Sequence, residues 1–309
     1  MKTLLIYHRA DDDGKLSREI CLKYLRSIGD AVEVVGWDYG DATPDVDGFD
    51  SVWMVDISID ALMGDYDFCE KLVWIDHHKT AIEKWHAFWS KQSLFGGWKI
   101  LGLRVDGIAA CRLAWAYCED VVVVERYKSE PMPGEPMGVF LVGLRDVWAH
   151  VGTEYEESCN HLRFSLVARQ EHVWLMAGDR GVLEDMIRSG KSIELYDRAL
   201  MAEFQDRAAH VAVCFGLRLL ILNTPGRGSG ALDARSKALL AEHGEKSHDA
   251  LMAWCHTGSG VVVASLYHAS HRKDLDLSVI AKSMGGGGHR GACGFRTTLA
   301  NMNTLLTAQ

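Results

Sequence analysis

Residues 72–80, LVWIDHHKT, restrict the fold of this 309-residue chain more than any other stretch. Four apolar residues run directly into Asp76, His77 and His78. A continuous apolar run of this length is typical of a strand buried on both faces of a parallel sheet. Open α/β sheets bind ligands beyond the carboxyl ends of their strands, so the Asp-His-His triplet is expected to face a functional site.

Three further apolar runs lead into acidic or imidazole side chains. They are residues 1–14 with His8, Asp11 and Asp13, residues 52–58 with Asp56, and residues 138–150 with Asp146. We interpret all four as buried runs of the same construction, whose carboxyl ends can converge on one small volume. Carboxylates packed closely raise one another's pKa unless cations neutralise them. The pattern therefore predicts a site for divalent metal ions.

Composition limits the partners of such a site. With 33 basic and 42 acidic residues, the net charge is −9, which argues against a protein that coats duplex nucleic acid through a broad basic face. A short anionic substrate held by metals and a few cationic side chains remains compatible with this charge. The eight cysteines form no C-x-x-C pair, so a zinc site or a disulfide framework is not predicted, and reduced thiols in a cytoplasmic protein are expected.

The alternation of strand and helix patterns predicts two α/β domains. We expect a parallel-sheet N-terminal domain with helices on both faces at 1–190, a connecting helix or linker at 191–210, and a smaller α/β domain at 211–309. The first apolar run is interpreted as a strand and not a signal peptide, because it leads into acids. No apolar run is long enough to span a bilayer.

Finer patterns predict individual elements. In the first domain we expect a strand at 31–37, helices at 15–28, near 61–66, at 107–118 and 153–180, and an exposed proline-rich loop at 129–138. A further helix is expected at 182–209, and its second half is interpreted as the connection between the domains. In the second domain, the segments VAVCFGLRLLILN, GVVVASLYHAS and CGFRTTL are strand-like, with helices near 231–243 and 277–284.

Four consecutive glycines, 285–288, precede His289 and Arg290. We expect them to form no regular element. One interpretation is a flexible linker. The alternative is a phosphate-binding loop, because glycine backbones allow close approach and can direct several N–H groups at one anion. The run lies between an apparent helix and a strand, which favours the phosphate-binding interpretation.

Each candidate residue also has an ordinary structural explanation. Asp11 and Asp13 alone would suit a solvated turn, His8 a structural histidine, and Asp56 a helix N-cap. The ordered combination at the ends of buried runs favours the metal interpretation.

Taken together, these motifs resemble the DHH phosphoesterase superfamily with a DHHA1 domain. The motifs are H-x-x-D-x-D-G from His8 to Gly14, the strand-end Asp56, the Asp76-His77-His78 triplet, Asp146 in R-D-x-W, and GGGGHRGACG. The chain resembles the short two-domain members, namely the oligoribonuclease (nanoRNase) and phosphoadenosine-phosphate phosphatase group.

The resemblance implies two divalent ions, most often manganese, with magnesium or cobalt as alternatives. It implies that His8 and Asp11 hold one ion, that Asp13, His77 and Asp146 hold the other, and that Asp56 bridges them. Asp76 would support or join the ligands, and His78 would face the scissile phosphate. The second domain would clamp the substrate phosphate through His289, Gly286, Gly287 and Gly288, with Arg290 as a further candidate.

Some residues depart from the family pattern. A strand that often reads S-L-R-S is Ser265-Leu266-Tyr267-His268 here, and Lys15 and Arg18 stand where small residues are usual. Tyr267 or His268 could stack on a base or belong to the core. Of the ten tryptophans, Trp53 and Trp74 are expected in the core, whereas Trp98 and Trp148 are candidates for contact with a base.

The leading functional hypothesis is a cytoplasmic metal-dependent nuclease that hydrolyses short single-stranded oligonucleotides to mononucleotides through a metal-bridging hydroxide. The alternative is a phosphatase or phosphodiesterase for small nucleotides, including phosphoadenosine phosphate and linear or cyclic dinucleotides. A non-catalytic nucleotide-binding protein is a third option, disfavoured because every metal-ligand position is filled. Neither a membrane nor extended duplex nucleic acid is an expected partner, and a homodimer is compatible with the sequence.

Overall fold

The computed structural model of the chain describes residues 1–64, 66–90, 100–169, 172–176, 178–224, 231–258 and 260–307. It divides into two compact units, Met1–Glu194 and Leu195–Gln309. The division falls within one continuous helix, Arg180–Ala208, which overlaps the predicted connecting segment at 191–210.

A four-stranded parallel sheet forms the centre of the N-terminal unit. Its strands are β1 Lys2–His8, β2 Ala31–Trp37, β3 Ser51–Val55 and β4 Leu72–Ile75, in the order β2-β1-β3-β4. All three neighbouring pairs run parallel. The predicted parallel α/β architecture is confirmed, because the apolar runs before the acidic and imidazole residues in β1, β3 and β4 form adjacent strands.

Helices cover both faces of this sheet. The helices that begin in this unit are α1 Asp12–Ser27, α2 Asp60–Met63, α3 Tyr66–Glu70, α4 Lys79–Ser90, α5 Ala110–Cys118, α6 Met137–Asp146, α7 Glu156–Arg169 and α8 Arg180–Ala208. Leu5 of β1 belongs to the hydrophobic cluster formed with α1, α5 and α6, whereas its neighbours Leu4 and Ile6 belong to the cluster that contains Trp74. Successive side chains of a strand point to opposite faces, so β1 is buried on both.

The run at 138–150 is a helix and not a strand, which corrects the sequence interpretation. Every residue from Gly138 to Leu144 is buried in α6. A helix that is apolar all round lacks the periodic polar face by which helices are recognised, so its sequence resembles a buried strand. Asp146 consequently enters the site from the end of a helix.

The C-terminal unit is a smaller mixed α/β structure, as predicted. Its strands are β5 His210–Cys214, β6 Leu217–Asn223, β7 Ala250–His256, β8 Val261–His268, β9 Gly287–His289 and β10 Ala292–Thr298, in the order β5-β6-β7-β8-β10-β9. Its helices are α9 Asp233–His243, α10 Ser278–Ser283 and α11 Leu299–Thr307. Strands β6 and β7 pair in parallel, and the other neighbouring pairs are antiparallel.

Two features of this sheet differ from the sequence expectations. Strand β7, which is buried over its first four residues, was not predicted. The glycine run does contain a regular element, because Gly287 and Gly288 pair with Gly294 and Cys293 of β10. A Cβ at Gly286 would lie 2.1 Å from the Gly294 carbonyl oxygen, so this glycine permits close backbone packing. The linker interpretation is therefore wrong.

All eight cysteines are free thiols, as the sequence predicts. Among the described helices, none combines the length and the apolar character needed to cross a membrane.

Candidate metal centre

Three candidate residues lie where neighbouring strands of the parallel sheet end. His8 is the last residue of β1, Asp56 follows β3, and Asp76 follows β4. Because the three strands are adjacent and parallel, their side chains emerge at the same edge of the sheet. Asp56 has a φ of 59°, in the left-handed region that few residues other than glycine adopt, and strained backbone of this kind clusters at functional sites.

Helix α1 brings two further carboxylates to this edge. Asp11 caps the helix and accepts a 2.9 Å hydrogen bond from the Gly14 N–H. Asp13 is buried and accepts hydrogen bonds from the N–H groups of Ala110 (2.8 Å) and Cys111 (2.7 Å) at the start of α5. A Cβ on Gly14 would lie 2.0 Å from the carbonyl oxygen of His8. Glycine is therefore required for α1 to begin so close to the end of β1.

The predicted ligands form two groups of three side chains, and within each group one ligand atom per residue lies within 4.8 Å of the others. The groups are His8, Asp11 and Asp56, and Asp13, His77 and Asp146. A third group, which overlaps them, contains Asp56, His77 and His78. The structure thus brings together all six residues that the sequence suggested as metal ligands.

Asp56 lies between the two groups. Its Oδ2 is 3.4 Å from His8 Nδ1, and its Oδ1 is 3.2 Å from His77 Nε2. His77 Nε2 also lies 3.4 Å from Asp146 Oδ2 and 3.6 Å from Asp13 Oδ2. One carboxylate therefore faces a histidine of each group.

The hydrogen bonding of the cluster fits a pair of cations. Asp56 is 1% exposed, and neither of its carboxylate oxygens has a hydrogen-bond donor among the described residues. His8 Nδ1 lies 2.7 Å from Asp11 Oδ2 but likewise lacks a well-directed hydrogen bond within the described part of the chain. Buried charged groups are normally hydrogen-bonded, paired or coordinated to metal. Imidazole nitrogens and carboxylate oxygens facing one another are a donor set that suits divalent ions such as manganese.

The pKa values reflect the same crowding. Burial lowers the pKa of His8, but the neighbouring carboxylates outweigh it and raise the pKa to about 11. In the same way the carboxylates, Asp56 foremost, outweigh burial and raise the pKa of His77 to about 10. Burial, with repulsion from nearby carboxylates, raises the pKa of Asp13 and of Asp146 to about 7. Unlike charges attract and like charges repel strongly here because little solvent separates them.

Asp76 holds the two neighbouring histidines in position through hydrogen bonds. Its Oδ1 accepts hydrogen bonds from the backbone N–H groups of His77 (2.7 Å) and His78 (3.1 Å) and lies 2.7 Å from His78 Nδ1. Its Oδ2 accepts from Trp74 Nε1 at 3.2 Å. Because both oxygens are already engaged, the geometry favours a supporting role for Asp76, which orients the two histidines. The His78 side chain remains 29% exposed and open to a ligand.

A cavity of about 410 Å³ adjoins the metal ligands within the N-terminal unit. Asp11, Asp13 and Asp146 line it together with Arg145 and Arg163. Burial, reinforced by Arg163, lowers the pKa of Arg145 to about 10, so its guanidinium stays charged at neutral pH.

The sequence analysis noted Lys15, which also lines this cavity, but it did not assign a role to the two arginines. Arg145 could have been noticed beside Asp146, but Arg163 follows from the packing of α7 on α6, for which the sequence holds no signal.

The residues suggested for substrate binding lie in the C-terminal unit. His289 ends β9 opposite Ala292. Arg290 donates through Nε to the Leu275 carbonyl at 3.1 Å and through a terminal nitrogen to the Asp274 carbonyl. The guanidinium of Arg290 therefore contributes to the local fold, and the roles of His289 and Arg290 toward substrate stay predictions.

Among the aromatic candidates, Trp53 and Trp74 are buried in the core, as predicted. Trp148 is exposed and has a φ of 59°, whereas Trp98 lies outside the described residues. Tyr267 packs against the hydrophobic cluster on one face of the second sheet, which agrees with the core interpretation.

Comparison with known proteins gives a structural likeness. No family model matches the chain, and no curated protein matches it. Among solved structures, a pGpG-specific phosphodiesterase, PggH from Vibrio cholerae, aligns with a TM-score of 0.51 and 15% identity over 100% of this chain and 97% of that one. The exonuclease RecJ bound to manganese aligns with a TM-score of 0.51 and 14% identity, over 98% and 88% of the two chains.

An exopolyphosphatase-related protein from Bacteroides fragilis aligns with a TM-score of 0.50 and 13% identity, over 98% and 90% of the two chains. The chain therefore shares the two-unit α/β fold of these solved structures. The similarity to the PggH phosphodiesterase extends over nearly the full length of both chains.

Proposed function

We propose that this protein is a two-metal phosphoesterase that hydrolyses short oligonucleotides to mononucleotides. The observation that carries the proposal is Asp56, a buried carboxylate without a hydrogen-bond donor among the described residues, set between two groups of imidazole and carboxylate ligands. His8 and Asp11 would hold one ion, and the remaining ligands would hold the other. These are Asp13, His77 and Asp146, with Asp56 shared between the two ions.

Two divalent ions, with manganese as the leading candidate, would supply an activated water and would neutralise charge on the phosphate. The protein contributes the positions of the ligands. Asp13 is held by two backbone N–H groups of α5, and Asp56 is held by the end of β3. His78, oriented by Asp76, would contact the scissile phosphate. Such preorganisation lowers the cost of arranging charges during the reaction.

The C-terminal unit would supply the phosphate clamp. We assign this role to His289 and to the backbone of Gly286, Gly287 and Gly288, since a glycine backbone lets an anion approach its N–H groups closely. Arg290 is the weaker candidate because its guanidinium is engaged with backbone carbonyls.

A second candidate is hydrolysis of small nucleotides, either at a terminal phosphate or in a dinucleotide. The limited cavity beside the ligands favours it, because about 410 Å³ suits a nucleotide-sized group better than a long strand. The structural neighbour PggH is described as specific for the dinucleotide pGpG. The free thiols support a cytoplasmic location for either activity.

The test is a panel of substrates with manganese. It contains 5′-labelled oligonucleotides of increasing length from a dinucleotide, phosphoadenosine phosphate and cyclic dinucleotides. We expect hydrolysis of the shortest oligonucleotides and loss of activity in Asp56→Asn. Asp120→Asn is the matched control, because Asp120 has a similar φ of 54° but is exposed and belongs to none of the candidate metal groups. Full turnover by Asp56→Asn would refute the two-metal assignment, and a folded wild-type protein without activity on any substrate would favour a nucleotide-binding role.

A further inference from the structure

We propose that the cavity beside the metal centre binds a second phosphate of the substrate, between Arg145 and Arg163. The inference rests on the proposed function and names the substrate class. It predicts a substrate in which two phosphates are joined through one nucleoside, such as a 5′-phosphorylated dinucleotide or a nucleoside 3′,5′-bisphosphate.

The cavity joins the reacting centre to the two arginines. Its charged lining consists of the carboxylates of Asp11, Asp12, Asp13 and Asp146 and the cationic side chains of Lys15, Arg145 and Arg163. All of these residues lie in the N-terminal unit. A phosphate held at the metal ligands would therefore share one cavity with two guanidinium groups.

Among the described residues, neither arginine forms an ion pair within 4.0 Å of a carboxylate, and Arg163 lies 5.6 Å from the ring centroid of Phe164. Arg145 Nε is buried without a hydrogen-bond partner in the described part of the chain. Two cationic groups at one cavity repel each other, and burying one of them without an acceptor is costly. An anionic ligand would remove both costs.

A buried arginine elsewhere in the same unit shows the contrast. Arg112 is 1% exposed and forms two hydrogen bonds with the Glu135 carboxylate, at 2.6 and 2.8 Å. It also donates to the carbonyl oxygens of Tyr127 (2.6 Å) and Glu130 (2.9 Å). Where arginine has a structural role, this fold provides its acceptors. Within the described part of the chain Arg145 Nε has no such acceptor, which points to a ligand.

The rest of the lining suits one nucleoside. Val142, Leu162 and Leu166 provide an apolar surface in the same cavity, as ligand sites for sugars and bases usually do. Guanidinium groups bind phosphate through paired, charge-assisted hydrogen bonds. The volume of about 410 Å³ accommodates one nucleotide-sized group. Recognition of a phosphate one nucleoside away from the scissile bond follows from this arrangement.

The kinetic test compares three substrates with manganese: a dinucleotide with a 5′-phosphate, the same dinucleotide without it, and a nucleoside 3′,5′-bisphosphate. In Arg163→Gln we expect KM to rise about tenfold or more for the substrates with a second phosphate, because a charge-assisted hydrogen bond is lost. We expect KM for the unphosphorylated dinucleotide to change by less than about threefold. Arg188→Gln is the control, since Arg188 is an exposed arginine of α8 outside the cavity.

A binding test is independent of turnover. Asp56→Asn should bind the 5′-phosphorylated dinucleotide about tenfold more tightly than the double variant Asp56→Asn/Arg163→Gln, measured by calorimetry. Arg145→Lys, which keeps the charge of the partly buried residue, should also weaken binding but preserve the far-ultraviolet circular dichroism spectrum. In both arginine variants the 5′-phosphate should no longer increase the affinity of the protein for the dinucleotide.

The outcomes separate the two proposals. An active enzyme whose KM values change equally for both dinucleotides, or not at all, overturns the second-phosphate site and leaves the phosphoesterase proposal standing. Arginine-dependent binding in a protein that hydrolyses none of the substrates supports the site and overturns the proposed activity.

Discussion

Asp56 combines three unusual properties at the centre of the candidate site. It has a left-handed backbone conformation, both of its carboxylate oxygens are buried, and burial raises its pKa. Each of these properties costs stability in a protein without bound ions. Two cations bound by Asp56 would offset these costs. The properties of Asp56 therefore fit a ligand shared by two ions.

The first prediction concerns Asp56→Asn in protein stripped of metal. We expect this variant to unfold at the same temperature as the wild type or higher, because asparagine tolerates the left-handed conformation and removes a buried charge. It should not gain stability when manganese is added. Differential scanning calorimetry with and without chelator measures both effects. Asp120→Asn should respond to manganese as the wild type does, and a clear loss of stability in metal-free Asp56→Asn would contradict the interpretation.

At the scale of elements, the site depends on the close approach of α1 to the end of β1. Gly14 makes this approach possible and lets Asp11 and Asp13 reach the metal ligands from the first turn of α1. The carboxylate of Asp13 in turn receives the first N–H groups of α5, where a helix N-terminus favours negative charge. One glycine therefore positions carboxylates of both ligand groups.

We accordingly expect Gly14→Ala to lower the free energy of unfolding by about 1–3 kcal/mol, because its Cβ would lie 2.0 Å from the His8 carbonyl oxygen. It should also weaken metal binding. Urea denaturation and titration with manganese measure the two effects. Gly64→Ala is the control, since its Cβ would come no nearer than 3.8 Å to the Asp60 carbonyl oxygen. A Gly14→Ala protein with unchanged stability would show that α1 can shift without cost.

In the C-terminal unit, Asp249 links the start of β7 to β6. It accepts hydrogen bonds from the backbone and side chain of Arg218 at 2.7 to 3.0 Å and from Arg272 at 3.0 Å. Hydrogen bonding to Arg218, opposed by burial, lowers the pKa of Asp249 to about 2.

This lowered pKa predicts a defined pH dependence. The stabilisation should be complete above the unfolded-state pKa near 3.8 and should be lost as the pH falls toward about 2. The stability difference between wild type and Asp249→Asn, about 2 kcal/mol at pH 6, should therefore shrink between pH 4 and pH 2. Urea unfolding at a series of pH values measures it. Asp206→Asn, at an exposed position of α8, should show no such trend, and a constant difference for Asp249→Asn would refute the assignment.

At the scale of the whole molecule, the candidate metal ligands all belong to one unit. Of the ten tryptophans, Trp254 is the single one that follows residue 194, so nine belong to the N-terminal unit. Tryptophan fluorescence therefore reports mainly on the unit that contains the site. Ions that bind the native state raise its stability by mass action.

We expect manganese at a hundredfold excess over its Kd to stabilise the N-terminal unit by about 2.7 kcal/mol per site. The midpoint of the fluorescence transition should rise by roughly 5–10 °C. Far-ultraviolet circular dichroism, which also reports on the second unit, should show a smaller average shift. In His77→Asn the increase should disappear, whereas His243→Asn, which changes an exposed histidine of α9, should retain it. A manganese-dependent increase that survives in His77→Asn would place the ions elsewhere.

Local sequence was sufficient for the parallel sheet, and together with the family resemblance it suggested the six candidate ligands that the structure brings together. In β1, β3 and β4 the apolar runs are buried on both faces of the sheet, and the polar residues that follow them lie at its edge. For this reason His8, Asp56 and His77 were recognisable without coordinates. The helical state of 137–146 was not recognisable, because a helix buried on all sides lacks the polar period that distinguishes it from a strand.

Long-range packing accounts for the rest of the site. Asp13 is bound by N–H groups almost a hundred residues away in the chain, and Arg163 shares a cavity with Asp11 because α7 packs on α6. Which carboxylates lack donors, and which arginines lack acceptors, depends on neighbours that are distant in sequence. A linear pattern records the chemical identity of each side chain and the period of its burial. The lack of a directed hydrogen bond at the Asp56 oxygens and at Arg145 Nε, within the described residues, arises only once the elements have packed.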